Sequence, residues 1–323
     1  MRTYELNGLV TALSSIAHSG GERNGNISQL RREPVIQPDG RPEQVPVISG
    51  NSIRGILRDR GMYHMLSKLG YGVREDGTVK GLPLPAFHFL FSGGSLTSTG
   101  SNGLDIDDMR RVEHLLPLMS VFGGAIGNAI KPGKMKVGKM RLRCRENDHL
   151  LPERYRLGEN AASCWSMTGV EFYTRRDDAK NDRLLPMLHG GHPGMKYVGD
   201  DNSMFDSKEV RQKKDGTPQQ MMYEIETIAA GAQFVWRIIL EDVTDLEFEA
   251  FLTTMLAFSR SPFIGGKSAV GLGEISIHMD RWIEIDSRLA ATGKEIDLPL
   301  LEKYDRHLTE NAEDIREWLH NVK

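Results

Sequence analysis

Apolar and polar positions alternate along residues 4–17, with Leu6 and Val10 on one face, and this period of two predicts a first strand. Over residues 18–47 no period survives. The segment is rich in Gly, Pro and charge, and at about thirty residues it is longer than most connections, so it is read as a polar loop that is either functional or disordered. A helical period then opens after Ile48 and runs to about Leu69. Ile53, Ile56, Leu57 and Leu66 form its apolar stripe, Ser49 or Asn51 supplies the cap, and Arg54 and Arg58, four apart, share the opposite, exposed face.

Residues 72–118 read as an insertion of loops with one short helix, given the Gly-Leu-Pro-Leu-Pro run at 81–85 and the Ser/Gly/Thr run at 92–103. A second glycine-rich turn covers residues 119–128, and a basic, strand-like segment follows at 134–145. Residues 174–222 are the least globular part, with Arg175, Arg176, a flexible Gly190–Gly194 stretch, the basic run 208–214 and methionines at 187, 195, 204, 221 and 222.

The last third is patterned most clearly. Residues 222–228 and 234–240 predict a strand pair turning at Ala230-Gly231-Ala232. Thr244-Asp245-Leu246-Glu247 is a capping box that opens a helix with Phe248, Phe251, Leu252, Met255 and Leu256 on its apolar face. A glycine-rich loop leads from that helix into an alternating strand over 274–279, and Ile315, Trp318, Leu319 and Val322 mark a helical stripe near the end that needs a surface to cover. Strand and helix near the start, with strand, helix and strand near the end, fit an α+β core of the split β-α-β kind.

Composition narrows the class. At 323 residues and 36.2 kDa the chain can bury a full core. It has no long apolar run, no apolar signal segment after Met1, and only two cysteines, Cys144 and Cys164, so a membrane span, a disulfide framework and a zinc pattern are not expected and the compartment is expected to be cytoplasmic. The net charge of −3 is uneven: residues 1–240 carry +5 and residues 241–323 carry −8. A basic groove is thus compatible with an acidic chain, and the acidic end suits a basic neighbouring subunit; ordinary solvated surface explains the same counts.

The loop Ile264-Gly265-Gly266-Lys267-Ser268-Ala269-Val270-Gly271-Leu272-Gly273 is the sharpest chemical signal. Backbone without Cβ lets amides approach an anion, and Lys267 and Ser268 add a charge and a hydroxyl. A mononucleotide P-loop needs glycine where Ser261 stands and leads from strand to helix, whereas this loop leads from helix to strand, so nucleotide hydrolysis is disfavoured. A plain connecting turn explains the glycines but not the Lys-Ser pair. The helix start around Ser49, Gly50, Asn51 and Ser52 is a second phosphate-suited place: free amides, Gly55 permitting close approach, and Arg54 and Arg58 beside them. His189 and His192 lack further ligands at useful spacing, so no metal or other cofactor is expected.

These segments together resemble a known family. Val47-Ile48-Ser49-Gly50-Asn51-Ser52-Ile53-Arg54-Gly55 is similar to the "I-P-G-S-S-L-K-G-x-x-R" helix start of the RAMP superfamily of CRISPR effector complexes. Phe122-Gly123-Gly124 resembles its F-G-[SG] turn, Tyr223-Glu224-Ile225-Glu226 through Phe234 resembles its "E-x-[IV]-x-x-G-x-x-F" strand pair, and residues 264–273 resemble its terminal glycine-rich loop. The matches come in family order over roughly residues 4–279, and they are specific jointly rather than singly.

The resemblance implies a modified RRM/ferredoxin-like core with finger and thumb insertions: one palm domain over 1–323, a finger or lid at 72–118, a thumb at 174–222 and a helical extension at 298–323. It is most like the type IV backbone subunit, with the type III subunit as runner-up. It implies a subunit that polymerises along a crRNA, its partners being that RNA, adjacent copies of itself in a helical filament, the crRNA-end-binding and large or small effector subunits, and target DNA or RNA. The residues carried over as RNA-binding are His18, Ser19, Ser49, Gly50, Asn51, Ser52, Arg54, Arg58, Arg175, Arg176, Gly266, Lys267 and Ser268. Type III subunits cut target RNA with an aspartate after the first strand; here residues 20–36 offer Glu22 and Glu33, and Asp39 comes later, so binding without catalysis is expected. A metal-dependent ribonuclease and a guide-independent structural oligomer stand as rivals.

Overall fold

Strand β1 spans Arg2–Ala12 in the computed structural model, which describes residues 1–24, 27–73, 79–94, 106–126, 129–175, 221–285, 293–295 and 301–322. Tyr4, Leu6 and Val10 are buried. The regular strand stops at Ala12, short of Ala17; beyond it Leu13 is exposed, and Ile16 and Ala17 make single bridges to Ile228 and Gly266.

The polar segment expected to be a loop is mostly strand: β2 (Ser19–Asn24), β3 (Ile27–Leu30), β4 (Arg32–Ile36) and β5 (Pro42–Ile48). Three of the four are six residues or shorter, and β2 and β4 are edge strands of their sheets. Such strands need no apolar face of their own, which is why alternation does not reveal them.

Helix α1 (Gly50–Lys68) begins where its period begins, with Ser49 as its cap. The insertion after it holds a small hairpin, β6 (Gly72–Val73) and β7 (Val79–Lys80), and more helix than expected: α2 (Leu84–Phe87), a π-turn (His88–Ser92), α3 (Ile106–Leu115) and α4 (Pro117–Phe122). A second hairpin, β8 (Gly124–Ile126) and β9 (Ala129–Lys131), precedes β10 (Met135–Val137) and β11 (Met140–Leu142). Short 3-10 turns then lead to β12 (Thr168–Arg175); the chain resumes with β13 (Met221–Ile228), β14 (Gln233–Val243), α5 (Asp245–Ser259), β15 (Ile275–Ile285), β16 (Gly293–Glu295), α6 (Lys303–Glu310) and α7 (Ala312–Asn321).

The main sheet runs β16-β15-β1-β14-β11-β5-β4, with β10 also on β14. Its centre, β15-β1-β14-β11, is antiparallel throughout. In chain order those strands are fourth, first, third and second, with α1 after the first and α5 after the third. The protein is therefore α+β with an RRM/ferredoxin-like core. Leu6, Val10, Leu57, Trp236 and Phe251 belong to one buried cluster, and Tyr4 stacks on Phe248 with ring centroids 3.9 Å apart.

The capping box of α5 closes both ways: Glu247 N–H donates to Thr244 Oγ1 (3.2 Å) and Thr244 N–H to Glu247 Oε2 (2.7 Å). Leu256, expected on the apolar face, is instead 46% exposed, and Phe258 takes its place in the core. The terminal stripe covers the helical layer: Ile315 and Leu319 are buried and Trp318 packs on Phe89 at 5.2 Å. The extension is fastened at its start, where Tyr304 N–H donates to the buried Glu249 (2.8 Å) and Asp305 takes His64 (2.8 Å) and Lys68 (2.5 Å). No helix among the described residues is long and apolar enough to cross a membrane.

A smaller sheet, β12-β13-β3-β2, stands beside the first. Glu226 on β13 joins the two: it accepts from Leu30 N–H (2.9 Å) and from both terminal nitrogens of Arg32, whose guanidinium lies over Trp165.

A candidate nucleic-acid interface at the mouth of the first helix

Two consecutive residues after β1 organise the site. Ala17 O accepts from Gly266 N–H (2.8 Å), and His18 Nε2 accepts from Ser49 N–H (3.1 Å). The glycine-rich loop and the start of α1, far apart in sequence, are thus held on one short piece of chain. His18 is buried, and burial first, then the nearby Arg31, lowers its pKa from the ordinary 6.5, so the ring stays neutral and its Nε2 is free to accept.

At the helix start, Ser49 Oγ accepts from Ser52 N–H (3.3 Å), which leaves the amides of Gly50 and Asn51 without an intrahelical acceptor. Asn51 and Gly55 are exposed, and a Cβ placed on Gly55 would meet nothing within 4 Å. Gly50 differs: its Cβ would lie 2.5 Å from Val137 O, so this glycine is required by packing on β10.

Across the mouth, the glycine-rich loop is shaped by its contact with residues 15–17. Gly265 has φ +78, and a Cβ there would meet Ala17 O at 2.4 Å; Gly273 has φ +87, and a Cβ there would meet Ile264 O at 2.1 Å. Those glycines serve close backbone approach within the protein. The Gly266 amide donates to Ala17 O, so what this residue offers a ligand is close backbone approach rather than a free N–H. Lys267 and Ser268 are exposed and open a one-turn 3-10 helix (Ser268–Val270), with Lys267 in the left-handed region at φ +64, uncommon for a residue with a side chain. Its ammonium lies 5.3 Å from the ring centre of Tyr173 on β12, a residue the sequence pattern does not single out because the two lie far apart in the chain.

Arg54 and Arg58 do not form the expected exposed pair. Arg58 is 5% exposed; its Nη2 donates to Phe122 O (3.1 Å) and Gly123 O (2.6 Å), and its guanidinium lies over the Phe122 ring. Burial, aided by the neighbouring Arg54, pushes its pKa down to about 10. Arg54 is half-buried and donates to the same Phe122 carbonyl. The reason is the end of α4: its last carbonyls have no helical acceptor role left to fill, and two guanidiniums satisfy them. Both arginines therefore brace the insertion against α1.

The remaining predicted residues lie further out. Ser19 is exposed at the start of β2, its Oγ accepting from Gly21 N–H (3.1 Å) and from Ser28 Oγ (3.2 Å). Arg175 is the last residue of β12, its backbone opposite Met221; Arg176 lies outside the described residues, as do His189 and His192. Of the acids considered for cleavage, Glu33 pairs with Lys139, and Asp39 sits in the β4–β5 turn accepting from Arg41 N–H (3.0 Å). Among the described residues no three His, Cys, Asp or Glu are grouped to hold an ion.

No protein-family profile and no curated protein matches this chain. Among solved structures, its fold is similar to that of a chain described as "Type IV-B CRISPR Complex", with a TM-score of 0.54 over 94% of this chain and 98% of that one, at 21% sequence identity. At that identity the likeness is one of fold, and it extends over nearly the whole length of both chains.

Proposed function

We propose that the protein is a backbone subunit of a CRISPR effector complex, which oligomerises along a crRNA, grips its phosphates without reading sequence, and leaves bases free to pair with target nucleic acid. The observation that carries this is the junction at Ala17 and His18, which unites two phosphate-suited segments into one mouth, on a fold shared with a chain of a type IV-B CRISPR complex. In this reading phosphates rest against the Gly50 and Asn51 amides, the open surface at Gly55, and Lys267 with Ser268, while Arg54 and Arg58 hold the insertion that walls the site. Contacts to backbone alone suit a guide whose sequence varies. In this reading the subunit binds and does not cut; Glu33 pairs with Lys139, Asp39 accepts from Arg41 N–H, and among the described residues neither belongs to a group of three His, Cys, Asp or Glu.

The test is expression with a CRISPR array and recovery of protected RNA from the purified complex. Wild-type protein is expected to retain array-derived RNA, and Lys267→Glu with Ser268→Glu to lower it about tenfold or more while the circular dichroism and melting curve stay unchanged. Folded wild-type protein that purifies free of array RNA overturns the proposal. Matched target RNA that is cut by the complex in magnesium, and spared by Asp39→Ala or Glu22→Ala, replaces it with the nuclease reading.

A further inference from the structure

Cys144 and Cys164 are the only cysteines in the chain, and the fold buries them together. Cys144 follows β11 and Cys164 opens the 3-10 turn (Cys164–Met167) that leads into β12. The two stretches run side by side: Arg145 N–H donates to Ala162 O (2.8 Å), and the Glu146 carboxylate takes Ser163 Oγ (2.6 Å) and Cys164 N–H (2.8 Å), one on each oxygen. Both thiols belong to one buried cluster, and Cys164 Sγ lies 4.0 Å from Gln44 O. A buried cysteine alone is a small apolar residue. Two thiols buried in one cluster, on segments hydrogen-bonded to each other on either side of them, are placed as a dithiol.

We propose that Cys144 and Cys164 are a disulfide-forming pair, closed by exchange with a small-molecule disulfide and opened by a thiol reductant. The proposal is independent of the RNA reading. Cys164 reacts first. The neighbouring Cys144 lowers its pKa while Cys164 raises that of Cys144, and Trp165 and Ser166 beside it are exposed, so a local opening of one turn presents its sulfur while Cys144 stays in the core. The Cys164 thiolate attacks one sulfur of the small disulfide, forming a mixed disulfide and releasing one small thiolate. Cys144, losing its proton, then attacks Cys164 Sγ and expels the second. Two protein thiols are oxidised to one disulfide, and one small disulfide is reduced to two thiols, which take up the two protons. The bridge fastens the turn that opens β12 to the end of β11.

The experiment treats native full-length protein with oxidised glutathione. Expected are an intact mass lower by two hydrogens, a non-reducing digest joining the Cys144 and Cys164 peptides, a melting temperature higher by about 5 °C, and reversal by dithiothreitol. Cys144→Ser is expected to stop at a glutathione adduct on Cys164, and Cys164→Ser to react at least tenfold more slowly. Wild-type protein that keeps both thiols under native conditions, or that carries glutathione without bridging, overturns the proposal, as does a bridge that forms only in denaturant.

Discussion

Gly50 and Gly55 lie on one helix and meet opposite surroundings. A methyl group on Gly50 would press on Val137 O at 2.5 Å, whereas one on Gly55 would project into open space. Gly50→Ala is therefore expected to cost about 1–3 kcal/mol through overpacking. Gly55→Ala should stabilise by about 0.5–1 kcal/mol, because alanine restricts the unfolded chain and suits an exposed helix interior. Urea unfolding of the two variants checks both signs. Gly55→Ala also separates stability from binding: the added methyl fills the surface assigned to RNA, so a more stable protein should retain less. Full RNA retention by that variant would remove Gly55 from the interface. The sequence makes both glycines look alike, since the Val137 carbonyl that distinguishes them comes from a strand far along the chain.

At the scale of elements, Arg58 is the tie between α1 and α4. Its guanidinium spans the Phe122 and Gly123 carbonyls inside the core, and Arg54 adds to the first of them. Arg58→Leu is expected to cost about 3 kcal/mol, since buried carbonyls lose charge-assisted hydrogen bonds. Arg58→Lys should recover little, because one ammonium cannot reproduce the planar fork; equilibrium unfolding of both variants measures this, and a lysine variant as stable as wild type would contradict it. Periodicity located α1, α5, β1, β14 and β15 because each turns one apolar face to a common core. The same rule places a polar residue outside, so it set Arg58 on the surface. It also left β2 to β5 unseen: β3 and β5 find partners in β13 and β11 from far along the chain, and Arg32 is paired only when Glu226 arrives on β13. Residue types alone suggest the chemistry proposed for the loop at Lys267; what the Gly266 amide is bonded to could not be read from them, because Ala17 contributes only a carbonyl.

For the molecule as a whole, pH acts through its buried imidazoles. Burial lowers His18 and His307 below the ordinary 6.5, His307 despite the Leu115 carbonyl 3.2 Å from its Nε2. Above that value both rings are neutral in folded and unfolded chains alike. As pH falls below it, the unfolded chain takes up protons that the folded one refuses, so stability is lost by up to about 1.4 kcal/mol per pH unit for each ring. The melting temperature should fall between about pH 7 and pH 5, and less steeply in His18→Gln with His307→Gln; equal slopes would assign the loss elsewhere. The bond between His18 and Ser49 has one more consequence. An amide hydrogen aimed at Nε2 requires a lone pair there, so the ring's single proton resides on Nδ1, one tautomer of two. Moving that proton to the other nitrogen, without changing the charge of the ring, would set two hydrogens against each other across the mouth of α1. The spacing between the glycine-rich loop and the helix start is thus tied to where one proton sits, and nitrogen chemical shifts of the His18 ring would report it directly.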